Sequence, residues 1–386
     1  MQRPAWGDVL DGRVAAGHAP GIVALAAYPD RVECWAAGYG DISRRIPMAR
    51  DTLFRIASVT KIVTAIAAMM LVDDGLIDLD EPVGRWLPEI AGKPVVRDIY
   101  GPVTEIRPSA QEVSLRHLLS MTNGMGSFFG QTAASPLIDI MHRREVTSWT
   151  ASLSSAELID RIVDLPLMFD PGSRWLYHLG LELAGILIER VSGEPLGAFM
   201  ARRIFEPLGM TDTGFAVPKG QEYRLARIYA DAGPYRFHEV PDWQADRTLA
   251  PAMERGGGGL ISTADDLGKI GRLLLDGGVA SGRQLLSPSA IREMTRDQVS
   301  GDAKAGSPVF AGFWERHGFG LGLCVSTAPD AISAVPGRYG WWGGTGTALF
   351  GDPARNVALV SLTQRMIGRL DDSGNADAFM QAVLKS

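Results

Sequence analysis

The residues whose types and spacing could do chemistry are Ser58 and Lys61, in the sequence Ser-Val-Thr-Lys at the start of an apolar run. Residues three apart share a helix face, so Lys61 is expected beside Ser58, where a helix N-terminus leaves backbone N–H groups free. Burial in an apolar helix lowers the pKa of a lysine. A deprotonated amine beside a serine hydroxyl is a base beside a nucleophile. The plain alternative is a surface serine with a snorkelling lysine.

Tyr177 and a glycine-rich segment could supply what a serine nucleophile also needs, a proton route and oxyanion donors. Tyr177 lies in a turn that runs into a helical segment, so its hydroxyl could reach a cleft. Nearby ammonium charge would lower its pKa from about 10 toward that of a working base. The sequence Trp342-Gly343-Gly344 opens a strand, and small residues let the backbone approach a substrate. A core tyrosine and a plain β-turn are the alternatives.

Two other hydrolytic arrangements are missing from the sequence. The Gly-x-Ser-x-Gly nucleophile elbow of α/β-hydrolases does not occur. The six histidines fall into no zinc-ligand spacing such as His-Glu-x-x-His. We therefore expect neither a metal nor a cofactor.

Composition and charge narrow the partners. The 386 residues carry a net charge of −6 with no dense Lys/Arg cluster, which disfavours nucleic acid. No apolar run could span a bilayer, and the first residues lack the apolar stretch of a signal peptide, so we expect a cytoplasmic protein with no membrane partner. Cys34 and Cys324 are expected as two buried thiols. A small-molecule substrate remains as the expected partner, and the oligomeric state stays open.

The elements that must position these residues are strands at both ends of the chain and helices in the middle. Strand patterns occur at 21–28, 32–38, 318–325, 345–351 and 357–362. Helical patterns begin at Ser58 and recur around 115–121, 155–164, 180–192 and 196–205, then from 262 to the glycines at 277, and from about 376.

This order predicts an α/β (α+β) fold, an antiparallel sheet flanked by helices with an inserted, mostly helical domain. The sheet domain is expected to be discontinuous, with residues 1–60 and 255–386, because the N-terminal hairpin should pair with the C-terminal strands. The inserted domain then comprises residues 61–254. We expect the active site between the two domains, where pockets favour forming.

Several motifs, in order along the chain, resemble the serine β-lactamase and penicillin-binding-protein superfamily. The likeness is strongest to its class C β-lactamase-like branch, and within that branch to the family VIII carboxylesterases. The motifs are Ser58–Lys61 (Ser-x-x-Lys), Arg116–Gly124 (His-Leu-Leu-x-x-Thr-x-Gly), Tyr177–Leu179 (the tyrosine motif), Gly257–Leu267 (Gly-Gly-Leu-x-Ser-Thr-x-x-Asp-Leu) and Trp342–Gly344 in the place of Lys-Thr-Gly. The resemblance covers almost the whole chain and implies a β-lactamase/transpeptidase-like fold.

The resemblance also implies roles for individual residues. Ser58 would be the nucleophile, with Lys61 and Tyr177 as its proton-transfer partners, and which of these two is the general base stays open. The backbone N–H groups of Ser58 and Thr345 would hold the oxyanion, because Thr345 follows Trp342–Gly344 as the donor residue follows Lys-Thr-Gly.

Two departures from the lactamase pattern indicate the substrate. Leu179 replaces an asparagine that contacts β-lactam substrates, and Trp342 replaces the lysine that attracts their carboxylate. Leu179, Trp342, Gly343 and Gly344 are therefore expected to bind substrate. We predict a carboxylesterase for short-chain esters that forms an acyl-enzyme on Ser58, with room for weak β-lactamase side activity. The alternatives are a β-lactamase, D-amino-acid peptidase, amidase or acyltransferase on this scaffold, or a catalytically silent penicillin-binding-like sensor.

Overall fold

The computed structural model describes residues 3–128, 135–148, 150–233, 236–243, 247–367 and 374–385. The described helices are α1 Gly7–Ala15, α2 Thr60–Asp73, α3 Leu115–Leu119, α4 Pro136–Arg143, α5 Ser155–Ile162, α6 Leu179–Ser192, α7 Leu196–Met200, α8 Glu206–Leu208, α9 Ala264–Leu275, α10 Pro288–Met294, α11 Gly301–Ala305, α12 Phe313–Arg316 and α13 Gly374–Lys385. The described strands are β1 Gly21–Ala27, β2 Val32–Asp41, β3 Ile46–Pro47, β4 Phe54–Arg55, β5 Val95–Val96, β6 Ile106–Arg107, β7 Tyr229–Asp231, β8 Phe237–Glu239, β9 Ile261–Ser262, β10 Val279–Ala280, β11 Arg283–Gln284, β12 His317–Phe319, β13 Cys324–Ser326, β14 Tyr339–Gly343, β15 Thr347–Asp352 and β16 Val357–Thr363.

An eight-stranded antiparallel sheet forms the centre of the protein. Its strand order is β12-β13-β14-β15-β16-β1-β2-β3, so the N-terminal hairpin pairs directly with the C-terminal strands. The junction lies between β1 and β16, where Ile22 stands opposite Thr363 and Ala27 opposite Ala358. This sheet with its helices confirms the predicted fold class, while the proposed domain boundaries stay a prediction.

Helices cover both faces of the sheet. On one face α9 packs on β1, β15 and β16. Gly271 makes that contact close, because a Cβ there would lie only 2.5 Å from the Cβ of Ala358. On the other face α1 and α13 pack together, with Trp6 and Phe379 in edge-to-face contact at 4.9 Å. The helix that begins after Ser58, α2, is buried along almost its whole length and packs on α6.

One predicted strand divides in two. Residues 318–325 read as a single run, but the structure has β12 and β13 joined by a turn in which Gly322 adopts φ +75°. Only glycine enters that region without strain, which explains why the chain reverses there. Cys34 and Cys324 are buried free thiols, as predicted. No helix in the described ranges combines the length and apolar character needed to cross a membrane.

Candidate active site

Ser58 lies in a 3₁₀ turn, Ala57–Val59, that leads directly into α2. Ala57 has φ +44°, a conformation that costs a non-glycine residue about 1 kcal/mol or more, so the backbone is strained immediately before Ser58. The Oγ of Ser58 lies 2.9 Å from Nζ of Lys61 and 2.8 Å from Oη of Tyr177. The structure thus brings the three predicted catalytic side chains into contact.

Lys61 is completely buried. Its Nζ contacts Ser58 Oγ and the carbonyl oxygen of Gly257, and it lies 4.7 Å from the centre of the Tyr177 ring. Burial lowers the pKa of Lys61 to about 7; the carboxylate of Glu182 opposes this shift and the charge of Arg255 adds to it. A substantial fraction of the amine is therefore neutral near pH 7 and able to accept a proton.

Tyr177 bridges Ser58 and the sheet. Its hydroxyl donates to Ser58 Oγ at 2.8 Å and accepts from the indole Nε1 of Trp341 at 3.0 Å. The expectation that ammonium charge lowers its pKa is wrong. Burial raises the pKa of Tyr177 to about 12 and outweighs both hydrogen bonds. The phenol therefore stays protonated at neutral pH, which suits a proton relay better than a resting base.

The backbone around Tyr177 is held from both sides. Its N–H and C=O pair with Ser127, at 2.7 and 3.1 Å. The next residue, His178, adopts φ +69° and caps the start of α6. This left-handed turn directs the chain from the pairing with Ser127 into a helix, and it fixes the Tyr177 side chain toward Ser58.

The indole that contacts Tyr177 belongs to Trp341, not to Trp342. Trp341 is fully buried and donates to Tyr177. Trp342 points to the opposite face of β14, where it packs edge-to-face on Phe350 at 4.8 Å and lines a small cavity together with Ala376 of α13. Side chains alternate along a strand, so a shift of one residue exchanges the two faces. The predicted contact of Trp342 with substrate is therefore wrong, and Trp341 is the tryptophan on the Tyr177 side of the strand.

The same one-residue shift applies to the turn after β14. Thr345, the predicted oxyanion donor, has no exposed surface, and its hydroxyl donates to the carbonyl of Arg55 at 2.6 Å. Gly344 is the exposed residue of this segment, and a Cβ there would meet no atom within 4 Å. At Gly343 a Cβ would lie 2.4 Å from the carbonyl oxygen of Ile56, so glycine is required for β14 to pack on the backbone before Ser58.

Leu179 does not line an open surface. It is the first residue of α6 and is fully buried. The structure therefore places it in the core behind Tyr177, and its predicted contact with substrate has no accessible surface to support it.

Sequence reasoning missed Glu182. This carboxylate, buried on α6, accepts the backbone N–H of Gly257 at 3.2 Å and pairs with Arg255 at 3.3 Å. The carbonyl of Gly257 in turn faces Lys61 Nζ. Glu182 thus holds the residue that positions the lysine, and its charge acts on the lysine pKa.

A signal for Glu182 exists in the sequence, since it is an acidic residue within the apolar stripe of α6. Buried carboxylates are rare unless they are paired. Glu182 also explains why residue 257 is a glycine, because a Cβ on Gly257 would lie 2.8 Å from Glu182 Oε1. Within the described ranges, no three side chains of His, Cys, Asp or Glu form a metal-binding group.

The fold and the Ser58, Lys61 and Tyr177 constellation define a protein of the β-lactamase and penicillin-binding-protein type. The sequence profile of the Beta-lactamase family matches residues 7–382, so the chain belongs to that family. It is part of a serine hydrolase superfamily in which relatives of this chain include esterases and acyltransferases.

Three similar proteins illustrate the range of relatives. Protein Rv1367c of Mycobacterium tuberculosis is 36% identical over 337 residues, 85% of this chain and 81% of that protein. Esterase EstB of Burkholderia gladioli is 31% identical over 348 residues, again 85% and 81%. The structure of EstCE1, described as a hydrolase with promiscuous acyltransferase activity, is 26% identical with a TM-score of 0.79 and covers 98% of this chain and 97% of its own.

Proposed function

We propose that this protein is a carboxylesterase that forms an acyl-enzyme on Ser58. The observation that carries this proposal is the contact of Ser58 Oγ with both Lys61 Nζ and Tyr177 Oη, at 2.9 and 2.8 Å, in a buried site. A hydroxyl in contact with a neutral amine and a phenol has both the base and the proton relay that acyl transfer requires.

In the proposed reaction, Ser58 Oγ attacks the ester carbonyl carbon and its proton passes to the neutral amine of Lys61. The bond to the leaving alcohol then breaks, and the departing oxygen receives a proton relayed through Tyr177. Water attacks the acyl-enzyme and releases the acid by the reverse steps. Lys61 is the favoured base, because a pKa of about 7 leaves part of it neutral while a pKa of about 12 keeps Tyr177 protonated.

The oxyanion of the tetrahedral intermediate is assigned to the backbone N–H groups of Ser58 and Gly344. Gly344 follows the tight contact of Gly343 with the backbone before Ser58, and it is exposed where Thr345 is not. Loss of one such donor costs on the order of 3 kcal/mol in other serine hydrolases.

An ester substrate is favoured over a β-lactam because an uncharged indole, that of Trp341, lies beside Tyr177. An indole N–H can donate a hydrogen bond but carries no charge to attract the carboxylate of a β-lactam. The relative named Esterase EstB supports the same choice.

Acyl transfer to an alcohol is the second possibility, favoured by the acyltransferase activity described for EstCE1. Hydrolysis and transfer share the acyl-enzyme and differ only in whether water or an alcohol resolves it. Product analysis with a short-chain phenolic ester, with and without an added primary alcohol, separates the two.

The acyl-enzyme is tested by intact mass spectrometry after a short pulse of a phenolic ester. Wild type should gain the mass of one acyl group, Ser58→Ala should gain none, and Ser289→Ala, at an exposed serine of α10, should behave as wild type. Turnover of the ester is then compared with that of a chromogenic cephalosporin and a D-Ala dipeptide. Absence of an adduct in wild type, together with a lack of turnover, would favour the silent sensor.

A further inference from the structure

A cavity lies close to the segment that carries Ser58, and neither Ser58, Lys61 nor Tyr177 lines it. It encloses about 520 Å³ between the β2–β3 turn, the residues leading into β4, and the chain around 217–227 and 247–248. Its size is within the range of small-molecule sites.

The cavity is positively charged although the whole chain is not. Its lining includes five arginines and three carboxylates, a formal excess of two positive charges in a chain of net charge −6. The arginines are Arg44, Arg55, Arg224, Arg227 and Arg247. Burial, and then the charges of the nearby Arg247 and Arg227, lower the pKa of Arg55 to about 9, so these three guanidinium groups form a cluster.

None of the three carboxylates of the lining forms an ion pair with Arg227 or Arg247 in the described part of the chain. Asp41 accepts hydrogen bonds from the hydroxyl of Ser43 at 2.8 Å and the backbone N–H of Arg44 at 2.9 Å. Asp51 pairs with Arg224 at 3.4 Å, and Glu222 accepts from the backbone N–H of Gly220 at 3.0 Å. Arg227 and Arg247 therefore receive no ion pair from the described carboxylates of the cavity lining.

Two donors in the cluster lack an acceptor. The Nε–H groups of Arg227 and Arg247 are buried and reach no hydrogen-bond acceptor within the described part of the chain. Arg227 pairs through Nη2 with Glu239 at 3.2 Å, whereas no ion pair joins Arg247 to a described residue. A buried guanidinium donor without an acceptor is costly, and a bound anion would satisfy it.

The cavity adjoins the serine site through Arg55. Arg55 lies three residues before Ser58, and its carbonyl accepts the hydroxyl of Thr345 in the turn after β14. Burial and the charge of Arg255, the partner of Glu182, lower the pKa of Arg247. The arginine cavity, which Arg55 lines, and the serine site in Ala57–Val59 are therefore neighbours along the chain.

We propose that this cavity is a binding site for an oxyanion, a carboxylate or phosphate group, gripped by Arg227 and Arg247 with Arg55 behind them. Guanidinium groups match both anions through paired N–H donors. The anion is either a free small molecule or a group carried by the ester; the second case rests on the proposed esterase function.

Binding is tested without catalysis, by isothermal titration of the Ser58→Ala protein with succinate and with inorganic phosphate at low ionic strength. At least one of the two should bind. Arg247→Gln or Arg227→Gln, each added to Ser58→Ala, should weaken that binding about tenfold or more, because each removes a charged donor pair. The matched control is Arg292→Gln, an exposed arginine of α10, which should leave the dissociation constant unchanged.

Thermal unfolding of each variant identifies any that fail to fold, and either of the two arginines suffices for the test. The proposal is overturned if neither anion binds the Ser58→Ala protein, or if both glutamine variants bind as tightly as their parent. Succinate bound in preference to phosphate identifies a carboxylate site, and the reverse result a phosphate site.

Ester kinetics show whether the bound anion is a separate ligand or a group of the substrate. Wild type is given a phenolic ester with a terminal carboxylate and its neutral isostere of equal length. A KM at least fivefold lower for the charged ester, lost in Arg247→Gln, supports an anion carried by the substrate. Equal KM values with anion binding intact support a separate ligand. If neither ester is hydrolysed, the esterase proposal fails while the titrations still decide the cavity.

Discussion

Replacing Lys61 by methionine should abolish esterase activity and yet stabilise the fold, most strongly at low pH. The pKa of Lys61 falls from its ordinary value of 10.5 to about 7 on folding, because burial disfavours the ammonium. At about 1.4 kcal/mol per pKa unit, folding with the charged lysine costs about 5 kcal/mol at pH values well below 7. Between the two pKa values the unfolded chain binds more protons, so stability rises with pH in that window.

The cost of the lysine should therefore fall from about 5 kcal/mol near pH 6 to about 2 kcal/mol near pH 9. Urea unfolding of wild type and Lys61→Met at both pH values measures the pH-dependent part of this cost. The lost hydrogen bonds and the altered packing add the same free energy at both pH values, so they cancel in the comparison. The advantage of the methionine variant should shrink by about 3 kcal/mol over the interval. Lys219→Met, at an exposed loop lysine, is the control and should show no such trend. A difference that is flat with pH would refute a lysine buried as its neutral form.

Three further results are expected. Ester kcat/KM should rise with pH through about 7 as Lys61 loses its proton, and Glu182→Gln should move that midpoint lower, because the carboxylate raises the lysine pKa; an unmoved midpoint contradicts the coupling. Trp341→Phe should lower kcat/KM roughly tenfold by removing the donor to Tyr177, while Trp342→Phe stays within about threefold in the same assay. Gly343→Ala should lose most activity and lower the thermal midpoint, since its Cβ would strike the backbone before Ser58; full activity would refute that packing.

The contact between Ser58 and Lys61 could be predicted because local helix geometry determines it. The apolar run after Ser58 specifies a buried helix, and a spacing of three sets Lys61 beside Ser58 whatever surrounds the helix. The sheet was predictable for a similar reason, since strand patterns at both chain ends leave few other ways to pair. The turn at Gly322 could have been read from the glycines within the run 318–325, although a run of small and apolar residues also fits an uninterrupted strand.

What could not be predicted depends on packing across distant segments. The contact between Gly343 and Ile56, which are far apart in sequence, determines which face of β14 is directed toward Ser58. The motif alone does not fix this register, so it does not show whether Trp341 or Trp342 lies on that face. The pKa of Tyr177 likewise follows from complete burial, which no local pattern reveals. Glu182 acts on Lys61 through a glycine from a third segment.

The pairing of β1 with β16 also determines how late in synthesis the central sheet can be completed. A strand that emerges first must wait for Val357–Thr363, near the end of translation, before its free edge is satisfied. Contacts of such sequence separation fold slowly and expose unpaired strands meanwhile. The backbone before Ser58 cannot pack against Gly343 until β14 has left the ribosome. The site around Ser58 is consequently completed only late in synthesis, and the N-terminal hairpin has an unpaired edge until then.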